Sequence, residues 1–422
     1  MDSTVDLKKL GYDAAIASQN LALASTEAKN EALANIASVM KKMKSFVLEI
    51  NAKEVVEAQE RGLPAPMIER MTLNDSRYQD MIDSIEKLIS LPDPVGRILD
   101  GYTVPSGLSI MRRTVPLGVV GVIYESRPNV TVDIASLCLK SGNACILRGG
   151  SECFKTNLTL YEIMEEAIAN ASLPHNSVNF IKSTDRDLVN QLLTLDEFVD
   201  VIIPRGGESL HRMCAQHSSI PVIVGGFGVS HIYVDSSADI ERAVKVIVNA
   251  KVQKPSACNA LDTLLVHRGC AVSLLHNLTP ELAKYKVLLH VHGEIADFLK
   301  EYPYLTKCTP DDLNTEFLGM QMNIVLVDSI NDAILHIRKH KAIHSDSILT
   351  NNLENAELFA RSVPSACVYI NASTRFTDGG QFGMGAEVAI STQKLHVRGP
   401  MSLDALTTYQ YICHGDYLAR EK

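Results

Sequence analysis

Cys258 lies in Lys251-Val-Gln-Lys-Pro-Ser-Ala-Cys-Asn-Ala260, a polar stretch that reads as a loop rather than an apolar periodic run. A thiolate is a strong nucleophile, and it forms where the thiol is accessible and a positive charge is near. The loop supplies access, and Lys251 and Lys254 supply charge close by in sequence. Cys138, Cys145 and Cys367 sit in apolar segments and read as core, the usual place for a reduced cysteine. The nine cysteines have irregular spacings and no pair separated by two residues, which gives no support to a zinc ribbon or a redox motif. They fit reduced thiols in a cytoplasmic protein without a structural metal.

Two glycine turns could receive a phosphate. Ile203-Pro-Arg-Gly-Gly-Glu-Ser-Leu210 follows an apolar run and precedes a helical pattern. Gly206 and Gly207 at a helix start would let phosphate reach backbone N–H groups at the positive end of the helix dipole. The same residues also suit a plain strand-to-helix turn, because no complete G-x-G-x-x-G pattern is present. Arg148-Gly-Gly150 closes another apolar run. Arg148 thus stands where open α/β sheets bind ligands, with a guanidinium fork suited to phosphate; a solvated surface Arg is the competing reading. Phe376-Thr-Asp-Gly-Gly-Gln-Phe-Gly-Met-Gly385 is a glycine-rich loop whose N–H groups could cradle a carboxylate or phosphate.

These residues need elements to hold them. The first hundred residues read as helices, with Leu33, Ile36, Ala37 and Met40 on one face and Met81, Ile82, Ile85, Leu88 and Ile89 on another. Pro92, Pro94 and Gly96 end that stretch. Short β-branched runs follow at 118–124, 144–147, 178–181, 199–203, 222–224 and 232–234, with helical patterns at 131–141, 154–170 and 185–195. Alternating strand and helix predicts a doubly wound α/β domain. A helix at 240–250, strands at 261–266, 323–327, 346–349 and 367–370, and helices at 272–285, 330–339 and 353–362 predict a second α/β unit. The run 407–414 reads as a strand that pairs with an exposed hairpin near 103–114 or with another subunit.

Composition narrows the function. The 422 residues carry 40 Lys and Arg against 49 Asp and Glu, a net charge of −9, which disfavours nucleic-acid binding and a polybasic membrane surface. No apolar run approaches the ~20 residues that span a bilayer, and the first residues lack the pattern of a secretory signal.

Five long stretches carry a family resemblance: PLGVVGVIYESRPNVTVDIASLCLKSGN, VIIPRGGESLHRM, VIVNAKVQKPSACNALDTLLV, HSDSILT and VYINASTRFTDGGQFGMGAEVAISTQKLHVRGPM. They resemble the γ-glutamyl phosphate reductases of the aldehyde dehydrogenase superfamily, and the match runs over nearly the whole chain. The resemblance implies an aldehyde dehydrogenase-like α/β fold with a doubly wound cofactor domain, an α/β catalytic domain and a small β oligomerisation element. Cofactor residues would fall in 1–102 and 115–250, catalytic residues in 251–395, and the oligomerisation element in 103–114 and 396–422. It also implies NADPH-dependent reduction of L-glutamyl 5-phosphate to L-glutamate 5-semialdehyde in proline biosynthesis.

Residue roles follow from the same resemblance. Cys258 would be the nucleophile and Asn129 the oxyanion donor. Arg127 would take the leaving phosphate. Glu316, in Glu316-Phe-Leu-Gly319, would hold the nicotinamide ribose. Arg148 and Ser151 would face the adenosine ribose and its 2′-phosphate, and Arg205, Gly206 and Gly207 the pyrophosphate. Arg375, Gly379 and Gly380 are candidates for the substrate α-carboxylate. Hydrolytic relatives carry a glutamate base two residues before a Gly-Gly pair; here the pair is Gly225-Gly226 and that place is Ile223. Losing that base would protect a thioester from water. Lys341 stands where the family has a small residue. A homodimer or homotetramer is expected, with glutamate 5-kinase a candidate partner. The alternatives are a dehydrogenase for a related acyl phosphate and a non-catalytic subunit of a glutamate kinase.

Overall fold

The computed structural model describes residues 5–226, 228–340 and 342–420, so Lys341 and the extreme ends of the expected domains lie outside the described residues. The chain forms two compact units. One comprises Met1–Val224, Gly383–Ala389 and Met401–Lys422; the other comprises Gly225–Phe382 and Ile390–Pro400.

The first unit opens with four helices, Leu7–Leu21, Thr26–Glu60, Ala65–Met71 and Asp75–Ser90. Side-chain acceptors start three of them: Asp6, Ser25 and Asn74 each take a first-turn N–H. The stripes at Leu33–Met40 and Met81–Leu88 are buried as their periodicity requires. A four-stranded parallel sheet follows, in the order Val178–Phe180, Ala144–Gly149, Val119–Tyr124, Val201–Arg205. Val119–Tyr124 is buried at every position, which is why it reads as a continuous apolar run. The chain steps outward from 119–124 to 178–180 and then returns to the opposite side at 201–205. The order therefore reverses between the C-terminal ends of Val119–Tyr124 and Val201–Arg205, the kind of switch point where open α/β sheets bind ligands. The expected strand at 222–224 is reduced to a single bridge between Val222 and Ile202.

Ile98–Thr103, Ser109–Pro116 and Thr407–His414 make a separate antiparallel sheet. Thr407 pairs with Pro116 and His414 with Ser109, so the C-terminal strand joins the hairpin of its own chain. The hairpin is longer than expected: it starts at Ile98 rather than 103. Ile98, Tyr102 and Tyr411 are at least 55% exposed on it.

The second unit is built on a seven-stranded, all-parallel sheet. Its order is Leu305–Lys307, Leu288–Val291, Gln321–Val327, Thr263–His267, His231–Val234, Ser345–Leu349, Cys367–Ile370. This corrects the expected boundary near 250. His231–Val234 pairs with Thr263–His267 and Ser345–Leu349, and the helix Ile240–Val252 buries Ala243, Val244, Ile247 and Ala250 in the same core as Leu264, Val266 and Leu289. Burial against that sheet assigns 225–250 to the second unit. The strands Leu288–Val291 and Leu305–Lys307 were not anticipated. Among the described residues, no helix is long and apolar enough to cross a membrane.

Gly118 shows how tightly the first sheet is tied. Its φ is +124°, and a Cβ there would lie 2.0 Å from Asp200 Oδ2, which accepts the Val119 N–H at 2.7 Å. Gly62, with φ +73°, has nothing within 4 Å of its Cβ position. We expect Gly118→Ala to cost about 3 kcal/mol or more, and Gly62→Ala only about 1–2 kcal/mol. Thermal unfolding of the two variants checks this: equal shifts in Tm would contradict it.

Candidate active site

In the second unit, the loop between the helix Ile240–Val252 and the strand Thr263–His267 carries Cys258. Of the nine cysteines, seven are buried, Cys413 is exposed and Cys258 is half-buried. The loop is shut at its base, where the Leu261 N–H donates to Ala250 O at 3.0 Å. Beside that bond the Lys251 ammonium, fully buried, donates to Leu261 O at 2.7 Å. The cation that the sequence places near Cys258 is therefore used to close the loop, and burial pulls its pKa down to about 8.

The next residue, Asp262, ties the loop outward. Its carboxylate accepts the Phe317 N–H at 3.1 Å and the Ser230 N–H at 3.2 Å. Burial raises it to about 6, opposed by the Lys251 charge and those two amides. Glu316 thus sits one residue from a backbone group fixed to the Cys258 loop. The Phe317 ring lies 4.7 Å from that of His290, which holds the other side of this segment.

Asn259, adjacent to the cysteine, makes the second attachment. Its side-chain amide donates to Thr377 O at 2.8 Å and Arg375 O at 3.5 Å, while its own carbonyl accepts from Thr374 Oγ1 at 2.7 Å. Arg375 Nε donates to Gln253 Oε1 at 2.8 Å, on the same loop. Thr377 Oγ1 is shared with Ser345 and Tyr369, each at 2.6 Å, and His344 Nδ1 reaches Ser345 Oγ at 2.8 Å. His344 and Ser345 thus support the wall behind Thr377. Gly379, buried, and Gly380, exposed, follow in a turn that Asp378 closes by accepting the Gln381 N–H at 3.0 Å. A carboxylate already stands in that turn, so of the three expected α-carboxylate contacts Arg375 has the suitable charge.

In the first unit the expected cofactor residues gather at the sheet's C-terminal ends. Asn129 lies on the helix Pro128–Lys140, whose Pro128 suits a first helical position. Its amide donates to Asp133 Oδ2 at 2.8 Å, one turn on, which leaves one N–H of the amide. Desolvation raises Asp133 to about 6. Arg127 is the half-buried residue that enters this helix, after Ser126 at φ +42°. Glu152 accepts from Ser126 Oγ at 2.7 Å and so fixes this turn, while Ser151 is exposed beside it.

Two expectations change in detail. Arg148 is only 7% exposed, and its fork is occupied: it donates to Gly149 O at 2.6 Å and to Thr184 O at 3.1 Å. Burial lowers its pKa. It braces the strand end rather than presenting a free guanidinium, and the exposed Arg186 is the cation that adds to its charge. At the Arg205-Gly206-Gly207 turn, the Gly207 N–H donates to Glu125 Oε2 at 3.0 Å. A Cβ on Gly206 would lie 2.4 Å from that oxygen, so the glycine is needed for Glu125 as well. The half-buried Arg205 and the exposed turn still fit the phosphates of a dinucleotide at the switch point, with Glu125 holding one of the N–H groups.

Within the second unit, then, the structure brings together Cys258, Arg375 and the Glu316–Phe317 segment, and within the first unit Arg127, Asn129, Arg148, Ser151 and the 205–207 turn. Sequence reasoning missed Asn259, Asp262 and Thr377. Asp262 had a signal, since an acid stands at the head of the apolar run Leu261-Asp-Thr-Leu-Leu-Val266.

The aldehyde dehydrogenase family model matches residues 3–292. The γ-glutamyl phosphate reductase of Vibrio cholerae serotype O1 is 51% identical over 99% of this chain and 100% of its own, and that of Aeromonas salmonicida is 51% identical over 98% and 99%. The crystal structure of γ-glutamyl phosphate reductase from Thermotoga maritima superposes with a TM-score of 0.94 at 42% identity, covering 99% of this chain and 100% of that one. An acetylating aldehyde dehydrogenase from Geobacillus thermoglucosidasius shares the fold, with a TM-score of 0.71 at 16% identity over 99% and 98% of the two chains. The chain belongs to the aldehyde dehydrogenase family and, within it, to the γ-glutamyl phosphate reductases.

Proposed function

We propose that this chain carries out its family's reaction, the reduction of L-glutamyl 5-phosphate to L-glutamate 5-semialdehyde and phosphate in proline biosynthesis, through a thioester on Cys258. The observation that carries the mechanism is the half-buried Cys258 on a loop clamped at both ends, while seven other cysteines are buried. The thiolate attacks the acyl carbon, a C–S bond forms, and the C–O bond to phosphate breaks. Phosphate leaves with the electron pair of that bond. Glu316 and the Arg205-Gly206-Gly207 turn would hold a nicotinamide cofactor, which would supply the hydride that takes the thioester to the aldehyde level. The C–S bond then breaks and the Cys258 thiolate returns.

The remaining roles follow the family pattern. Asn129 has one amide N–H left to stabilise the oxyanion, and Arg127 pairs with the leaving phosphate. Arg375 reads the substrate α-carboxylate, with Gly379 and Gly380 contributing backbone. Glu316 holds the nicotinamide ribose. Arg205, Gly206 and Gly207 serve the pyrophosphate, and the strand end that Arg148 braces, with Ser151 beside it, faces the 2′-phosphate that would make NADP(H) the preferred cofactor. Ile223 in place of a water-activating base keeps the thioester for phosphate or hydride. The exposed sheet carrying Tyr102 and Tyr411 would join subunits into a homodimer or homotetramer. Glutamate 5-kinase, which makes the labile substrate, remains the proposed partner, and the cytoplasm the proposed location.

Two outcomes are expected. In the reverse direction, 1-pyrroline-5-carboxylate, NADP and phosphate should yield NADPH absorbance. That signal should require phosphate and fall at least about a thousandfold in Cys258→Ala. Turnover without phosphate would instead mean hydrolysis and would overturn the reading of Ile223. Second, iodoacetamide should modify Cys258 and Cys413 in the native protein, as the accessible thiols. Cys413→Ser should keep its activity and lose it on alkylation of Cys258. Full activity with Cys258 alkylated would contradict the mechanism.

A further inference from the structure

The buried pair Lys251 and Asp262 brackets the Cys258 loop and is absorbed by none of the chemical steps. Both side chains are at most 1% exposed, in surroundings where a charged group is costly compared with an apolar residue of similar size. What the pair does have is geometry. Lys251 Nζ holds Leu261 O at 2.7 Å across the base of the loop. Asp262, the following residue, holds the N–H of Phe317 at 3.1 Å and that of Ser230 at 3.2 Å. Its own backbone adds two more ties, accepting from Asn323 N at 2.8 Å and donating to Ser230 O at 3.0 Å. Leu318, with φ +50°, follows Phe317, so Glu316–Phe317 belongs to an irregular turn that no strand ladder fixes. A carboxylate that accepts a backbone N–H is a strong, directional anchor, and a nearby buried cation favours its charged form.

We infer that Lys251 and Asp262 are positioning residues that set the spacing between the nucleophile loop and the Glu316–Phe317 turn. Through that spacing they set the fit of the nicotinamide end of the cofactor against Cys258. This deepens the proposed function and rests on its assignment of Glu316 to the nicotinamide ribose. The strut explains why two charges are kept in a core where apolar side chains would pack: an acceptor at 262 fixes the Phe317 N–H, and a cation at 251 closes the loop while favouring the charged form of that acceptor.

The test uses the full-length Lys251→Met/Asp262→Asn double variant, in which no buried charge is left alone. Binding of NADPH is followed by its own fluorescence, and Cys258 reactivity by its alkylation rate in a Cys413→Ser background. We expect the dissociation constant for NADPH to rise about tenfold and the alkylation rate to change at least about threefold. Leu264→Ala is the control: it opens a cavity in the same sheet and should lower Tm without moving either value. Both values within twofold of the parent in the folded double variant would overturn the inference. If that variant does not fold, amide exchange in the unaltered protein decides. The Phe317 N–H should exchange far more slowly than its neighbours in the same turn, and exchange as fast as theirs would overturn the strut. Should Glu316→Ala leave NADPH affinity unchanged, the assigned role of Glu316 fails, and the Phe317 amide and the Cys258 alkylation rate then judge the strut.

Discussion

The Cys258 loop depends on its closure by a buried ammonium. A loop of this kind must leave its thiol reachable, which forbids packing it into the core, yet it must hold the sulfur at a defined place. Lys251 resolves this by reaching across the loop base to Leu261 O, beside the Leu261 N–H bond to Ala250 O. The attachment is buried although the Cys258 thiol is only half-buried. Desolvation is the cost, and it appears as the lowered pKa of Lys251 and the raised pKa of Asp262. The two carboxylate-held amides and the opposite charge offset it.

From that closure the rest of the second unit can be followed outward. Asn259 fastens the far side of the loop to 374–377, which sets Arg375 against Gln253. Thr377 then carries the constraint into Ser345, Tyr369 and His344. Asn259, Thr377, Ser345 and His344 are polar side chains buried with partners, so this part of the network is rigid where an apolar core would tolerate repacking. In the first unit the same logic acts at sheet ends. Glu125 and Glu152 each hold backbone or hydroxyl donors of the turns beside the switch point, and Arg148 grips three carbonyls of its own edge, those of Gly149, Thr184 and Asp185.

Much of this was legible in the sequence, and the parts that were not have physical reasons. The helices 330–339 and 353–362 and the strand 367–370 match the structure because strong periodicity, flanking caps and turn residues all agree there. The domain boundary was misplaced because the apolar face of Ile240–Val252 says that the helix is buried, not which sheet buries it. Leu288–Val291 and Leu305–Lys307 are short strands interrupted by His290 and Thr306, too brief for a period to register. Cys258 stood out because its surroundings are polar. The sequence offers Lys251 as a charge for the thiol, because it does not show that a lysine one helical turn from Ile247 and next to Ala250 is buried. Arg148 looks available to a phosphate for the same reason: strand-end placement is visible in sequence, whereas the carbonyls of Thr184 and Asp185 come from a distant segment. Glu316 is reachable only through family resemblance, since it sits in no pattern that chemistry alone would select, and Arg375 is only a candidate beside the glycine-rich loop.

The central claim is a thioester on Cys258 that waits for phosphate, and the most direct measurement is to catch it. The protein would be mixed with 1-pyrroline-5-carboxylate and NADP with phosphate withheld, quenched in acid, and digested for mass spectrometry. The account predicts a γ-glutamyl group on the peptide that contains Cys258, lost when phosphate is added before the quench. An unmodified Cys258 peptide alongside continued formation of NADPH, or the acyl group on any other residue, would contradict it.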